Sequence, residues 1–221
     1  MPDPQYWLYT ASHVRDPRVK DEAYSQWYQD HHVPDVMRAG SISKGSFYKN
    51  LSPTSGFRWL AAYDCADLDV LKPQNVAKIP KKHECLGTDR SCLEFAEFDI
   101  KQFQEMFELK NDRNVKKIPD CDRYLMTCSF HCDDGEELRR RCVGNDMLSV
   151  FPQSTWIKVW SPLEHHDTYL GYMIAQALDE LPTENLLWME DQWRLNLIRK
   201  LGLEGQMLQT QMWKLLKCHE V

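Results

Sequence analysis

Strand-like and helix-like segments follow the same order twice along these 221 residues, and that recurrence limits the fold more than any other feature. Tyr6 to Ser12 is aromatic and β-rich and predicts a strand. Lys20 to His32 predicts a helix, with Tyr24, Trp27, Tyr28 and His31 spaced along one helical stripe. Pro34 biases Val33 away from α geometry, so the helix should end near His32; a short turn can restart at Pro34 and close at Gly40. Ser43 to Leu51 and Phe57 to Tyr63 read as strands on either side of a Pro- and Gly-containing turn. The polar stretch Asp67 to Asp89 carries at most a short irregular helix, and the middle of Leu93 to Leu109 reads as a closing strand.

The second passage repeats the order. Arg123 to Cys132 is a strand, Asp133 to Leu148 a helix, and Thr155 to Trp160 and Tyr169 to Leu178 are strands. Thr183 to Leu201 is a long helix with Thr183 as N-cap and Gly202 after its end, and Gln206 to Leu216 is the last strand. Each half is thus β-α-β-β-α-β, a ferredoxin-like unit, and the polar link from Lys110 to Asp120 divides the chain into repeats at 1–110 and 111–221. A sheet with helices on one face needs its other face covered, and a second sheet does this well. The expected fold class is therefore α+β: two tandem ferredoxin-like repeats whose open sheet faces cover each other within one chain. The alternative is two independent ferredoxin-like domains on a flexible linker, against which stand the short link and the matching lengths of the repeats.

The net charge of −6 argues against nucleic acid or an anionic membrane as the main partner. Arg139, Arg140 and Arg141 follow Glu136 and Glu137, the pattern of a solvated helix face. No secretory leader and no membrane-length apolar run is present in the sequence, so a cytoplasmic location is expected. The eight cysteines form no CxxC pair, which predicts reduced thiols. Cys128, His131 and Cys132 lie on a predicted strand where His131 points away from the other two, so no metal site is expected there.

The most informative segment is Trp27-Tyr28-Gln29-Asp30-His31-His32-Val33-Pro34-Asp35-Val36. It resembles the aromatic-x-x-x-His-[Ile/Val]-Pro-[Asp/Glu] signature on the first helix of the dimeric α+β barrel family, including its EthD-like members. The flanking strands fall where that family places them. The second half matches in element order only, since Arg139 to Phe151 holds no His-x-Pro-Asp. The resemblance implies an intramolecular version of a dimeric α+β barrel, in a family made mostly of small cofactor-free enzymes. These include polyketide cyclases, quinone-forming monooxygenases, lactone isomerases, decarboxylases and dehydratases; haem proteins share the fold too. Tandem fused versions resemble proteins of fungal secondary metabolism.

His32 is the histidine that matches the signature. A place at a helix C-terminus favours a cation, and Asp35, three residues on, could orient the ring; burial against Trp27 or Tyr28 would oppose both. The candidate catalytic residues are His32, Asp35, His31 and Tyr28, against the plainer reading in which His32 and Asp35 lock a helix corner and His31 is a buried core histidine. Tyr24, Tyr28, Tyr48 and Tyr63 could donate hydrogen bonds to a developing enolate or phenolate. Trp27 and Trp59 could wall the same pocket, although aromatic residues at this spacing commonly belong to a core. His165, His166 and Asp167 read as an exposed loop, and His13 and His83 have no evident partner. Tyr169 and Tyr172 are the residues of the second half that could reach the site.

No dinucleotide-binding, Walker, zinc-protease or nucleophile-elbow motif occurs. The expectation is an enzyme without cofactor or metal, acting as monomer or homodimer on a hydrophobic, polyketide-like small molecule. Its reaction would be a cyclisation, dehydration, decarboxylation or isomerisation driven by proton transfer. The alternatives are a cofactor-free monooxygenase on an anthrone or phenol, and a non-catalytic small-molecule binding protein.

Overall fold

A computed structural model describes residues 6–52, 56–110, 123–131, 134–144, 147, 154–163, 172–178, 186–204 and 208–220. The fold is mixed α+β and divides into two compact units. The first takes Met1–Asn50, Ser55–Phe103 and Leu215–Val221, and the second Leu51–Thr54 and Gln104–Lys214.

The first unit holds β1 (Tyr6–Val14), β2 (Ile42–Asn50) and β3 (Trp59–Cys65), with the beginning of β4 (Ala96–Lys110) and the end of β8 (Gln209–Glu220). Its strands hydrogen-bond in the order β4-β1-β3-β2-β8. β1 and β3 pair antiparallel with Leu8 opposite Tyr63, and β2 pairs antiparallel with β3 with Gly45 opposite that same tyrosine. One sheet face packs against the helical segment between β1 and β2. The core there is aromatic: Tyr24, Trp27, Tyr28, Phe47, Trp59 and Phe95 are all buried.

That helical segment does not stop at His32. α1 (Asp21–Trp27) passes into a π-helical turn, Tyr28–His32, which passes directly into α2 (Val33–Ala39). His32 and Val33 both hold right-handed helical angles, and the Val33 N–H donates to the Tyr28 carbonyl, five residues back. Proline at 34 brings no N–H and would crowd a carbonyl of the preceding turn in a regular helix. The wider turn gives that ring room, so the helix continues where the sequence predicts a break. Gly40 closes α2, as the sequence predicts. It is extended (φ −146°), not left-handed, and glycine is needed for space: a Cβ there would sit 2.5 Å from Val70 Cβ.

Between β3 and β4, where the sequence allows a short irregular helix, the chain forms several short helical pieces. These are a 3-10 turn at Asp69–Leu71, α3 (Pro73–Val76), a second 3-10 turn at Glu84–Leu86, and α4 (Cys92–Phe95). Ser91 caps α4 in a reciprocal box with Glu94. Val70 and Leu86 are buried and anchor the segment to the core.

The second unit holds β5 (Tyr124–Phe130), β6 (Ser154–Pro162) and β7 (Tyr172–Leu178), with the remaining parts of β4 and β8. Its order is β8-β5-β7-β6-β4, again placing the last, first, third and second strands of its half side by side. α5 (Gly135–Gly144) and α6 (Leu186–Leu201) pack with a core that includes Met126, Ile157, Ile174, Trp193, Leu197 and Met212. Gly202 ends α6 in the left-handed region (φ 64°), and the Leu203 N–H returns to the Ile198 carbonyl at 3.1 Å, as the sequence leads one to expect. Thr183, the link at 111–120, Cys132, Tyr169, His165, His166 and Asp167 lie outside the described residues.

No described helix is long and apolar enough to cross a membrane. Cys65, Cys85, Cys92, Cys128 and Cys142 are free thiols, but Cys218 is disulfide-bonded, a departure from the expectation of reduced cysteines throughout.

Candidate active site

A cavity of about 200 Å³ opens within the first unit between the helical segment, the sheet and the segment that joins β3 to β4. Three sets of residues build it, each by the geometry of its element. Leu8 and Thr10, two apart on β1, present the same face, and Tyr63 joins them from β3 directly opposite Leu8. Phe98 and Ile100 do the same from β4. Tyr28, His32 and Val36 form one stripe through the π-turn. Val70, Ile79, Lys81 and Cys92 close the cavity from the connecting segment.

The π-turn decides which histidine faces inward. A regular helix would continue the Tyr24–Trp27–Tyr28 stripe to His31. The extra residue in the turn brings His32 to that line instead, with its ring centroid 4.4 Å from Trp27 and 4.7 Å from Tyr28. His32 Nδ1 is buried and has no hydrogen-bond partner in the protein. Burial lowers the pKa of the ring to about 4; the nearby Lys81 ammonium acts in the same direction, and the Pro80 carbonyl pulls the other way. The imidazole is therefore neutral near neutral pH, the form that can accept a proton.

Burial also pushes the phenols of Tyr24, Tyr28 and Tyr63 well up, so they stay protonated and can only donate to an anion. The Cys92 thiol is pushed up to about 11, chiefly by burial, and is not a ready nucleophile. Among the described lining residues Lys81 carries the one cation, its Nζ 3.4 Å from the Val76 carbonyl.

The other expected site residues are placed as follows. Asp35 does not orient His32. The helix continues, so Arg38 lies one turn on from Asp35, and the two form an ion pair. Asp35 does not line the cavity. His31 turns away from the cavity and stacks on His83, with centroids 3.9 Å apart. Tyr24 and Trp27 pack behind Tyr28, at 5.1 and 5.2 Å. Trp59 stands at the far end of a stack in which Tyr28 lies on Phe47 (4.8 Å) and Phe47 on Trp59 (5.7 Å). Tyr48 is buried next to Phe47 in β2, and strand alternation turns it to the opposite face. His32, Tyr28 and Tyr63 are thus the expected residues that meet at the cavity.

Lys81, Thr10 and Cys92 are site residues the sequence reading missed. The available signal was faint: Val70, Val76 and Ile79 are apolar residues at wide intervals in a stretch that otherwise reads as polar. An apolar cavity of ~150 Å³ takes up one benzene ring. The space here suits a small ring-bearing molecule and does not fit a tetrapyrrole.

No protein-family model and no curated protein matches this chain. Solved structures do. An anthrone oxidase-like protein superposes with a TM-score of 0.59 at 10% identity, covering 99% of this chain and 93% of its own. A candidate monooxygenase of Fusobacterium nucleatum subsp. nucleatum gives 0.58 at 8% identity, covering 98% and 94%. Chlorite dismutase of Candidatus Nitrospira defluvii, in a mutant form, gives 0.51 at 10% identity, covering 94% and 90%. At such identities the likeness establishes a shared fold and nothing more.

Proposed function

We propose that this chain is an enzyme that removes a proton from a small, hydrophobic, enolisable or phenolic substrate, with His32 as the base. The observation that carries this reading is a buried, neutral imidazole whose Nδ1 has no hydrogen-bond partner, on the wall of an apolar cavity whose described lining holds a single cation. His32 takes the proton. The anion left behind is held by the Lys81 ammonium and by the O–H groups of Tyr28 and Tyr63, donors that the low-polarity surroundings strengthen. Neither the base nor the cation has to come from a bound cofactor. Cyclisation, dehydration, decarboxylation and isomerisation can all start from such an anion. The strand order shared by the two units supports reading residues 1–110 and 111–221 as tandem repeats, with the site in the first.

A second reading is favoured by the anthrone oxidase-like and monooxygenase neighbours. There the carbanion adds to O2 and is protonated to a hydroperoxide. Loss of its C–H proton with O–O cleavage then gives a ketone and water. Incubating the protein with enolisable aryl ketones, in air and under argon, tests both readings. Product formation in either atmosphere that is lost in a folded His32→Gln protein supports the proton-transfer role. Turnover that needs air selects the oxygenase, and turnover no faster than in buffer contradicts both readings.

A further inference from the structure

We propose that His31, His83 and Cys85 form a binding site for a borderline transition-metal ion of the Zn2+ class, which clasps the cover segment of the cavity to the π-turn. One potential ligand atom from each of the three lies within 4.8 Å of the others, and all three side chains are partly buried. The residues come from two separate places in the fold: His31 from the π-turn, His83 and Cys85 from the 3-10 turn before α4. The His31 and His83 rings lie nearly parallel (23°) at 3.9 Å, and His83 Nδ1 is 3.0 Å from Cys85 Sγ.

Two imidazoles and a thiol are ligands that zinc-type ions take at about 2.0–2.3 Å, so a drawing together of roughly 1 Å completes three positions of a tetrahedron. Water fills the fourth. On binding, Cys85 gives its proton to solvent and ligates as thiolate. The Cys85 N–H, now 3.3 Å from His83 Nδ1, gives way if that nitrogen ligates. Two carboxylates lie near Cys85: Glu84, its chain neighbour, and Asp30, which is paired with Lys217 at 2.7 Å. Placement gives the ion a purpose. His31 adjoins His32, and His83 lies two residues beyond Lys81, so the clasp would fix the two cavity groups that the proposed chemistry uses. The metal site itself does not depend on that chemistry.

The test is Co2+ and Zn2+ titration of reduced, metal-stripped full-length protein. One equivalent of Co2+ should bind with a sulfur-to-cobalt charge-transfer band. Cys85→Ser should abolish that band, and His83→Ala should weaken Zn2+ binding at least about tenfold, while Cys142→Ser should leave both unchanged. X-ray absorption of Zn2+-loaded wild-type protein needs no variant to fold, and should show one sulfur and three nitrogen or oxygen neighbours. A band that survives in Cys85→Ser, a shell without sulfur, or no uptake of either ion would overturn the proposal.

Discussion

The His32 imidazole lies 4.4 Å from the Trp27 indole, tilted by 33°, with no protein partner for its Nδ1. A base in that setting keeps its lone pair free at the cost of being hard to charge. The same burial makes folding sensitive to acid. The folded pKa is about 4 against an ordinary 6.5, so between those values the unfolded chain binds a proton that the folded chain does not. Stability is fully present above 6.5, falls as pH drops through this window, and stops changing from this group below about 4. The loss should be on the order of 3 kcal/mol. Urea unfolding of metal-free protein across the window should show it, and the slope should be smaller in His32→Gln.

Tyr28→Phe keeps the ring that stacks on Phe47 at 4.8 Å and removes only the donor. Stability should change by about 1 kcal/mol or less. Turnover should fall by roughly 10²–10³ if the phenol holds the anion. A Tyr28→Phe enzyme with full turnover would assign the residue to packing alone.

Lys81→Met separates charge from shape. It should weaken binding of an acidic phenol more than binding of its neutral methyl ether, because only the anion gains from the ammonium. Calorimetric titration of both ligands measures the difference, and equal losses for the two would place Lys81 outside the anion site.

Gly40→Ala should destabilise by about 1–3 kcal/mol, since the new methyl would meet Val70 Cβ at 2.5 Å and its Cα at 3.0 Å. Val70→Ala should not rescue it, because the clash is with atoms that alanine keeps. Thermal unfolding of the single and double variants checks both statements.

Strands β1, β2 and β3 were legible from the sequence because their aromatic and apolar residues lie between clear turn signals. The close of α6 at Gly202 was legible because a left-handed cap favours glycine. The site was only half legible: the signature pointed to His32, while the helical period pointed to His31. A regular period extends the Tyr24–Tyr28 stripe to His31, whereas the π-turn moves His32 into line, and no residue type announces a π-turn. The Asp35 expectation failed for a linked reason. With the helix taken to end at His32, nothing suggested that Arg38 would sit one turn from Asp35 and claim it. Lys81 and the His83–Cys85 pair were hidden differently. They belong to short helical pieces held by the isolated anchors Val70 and Leu86, too few to leave a periodic trace.

The central claim, that His32 acts as a base inside this cavity, is tested most directly by hydrogen–deuterium exchange at the acidic C–H of a small enolisable aryl ketone, followed by NMR in D2O. Wild-type protein should accelerate exchange well above the buffer rate. Folded His32→Gln protein that still binds the ketone should not. Exchange in that variant as fast as in wild type would contradict the account.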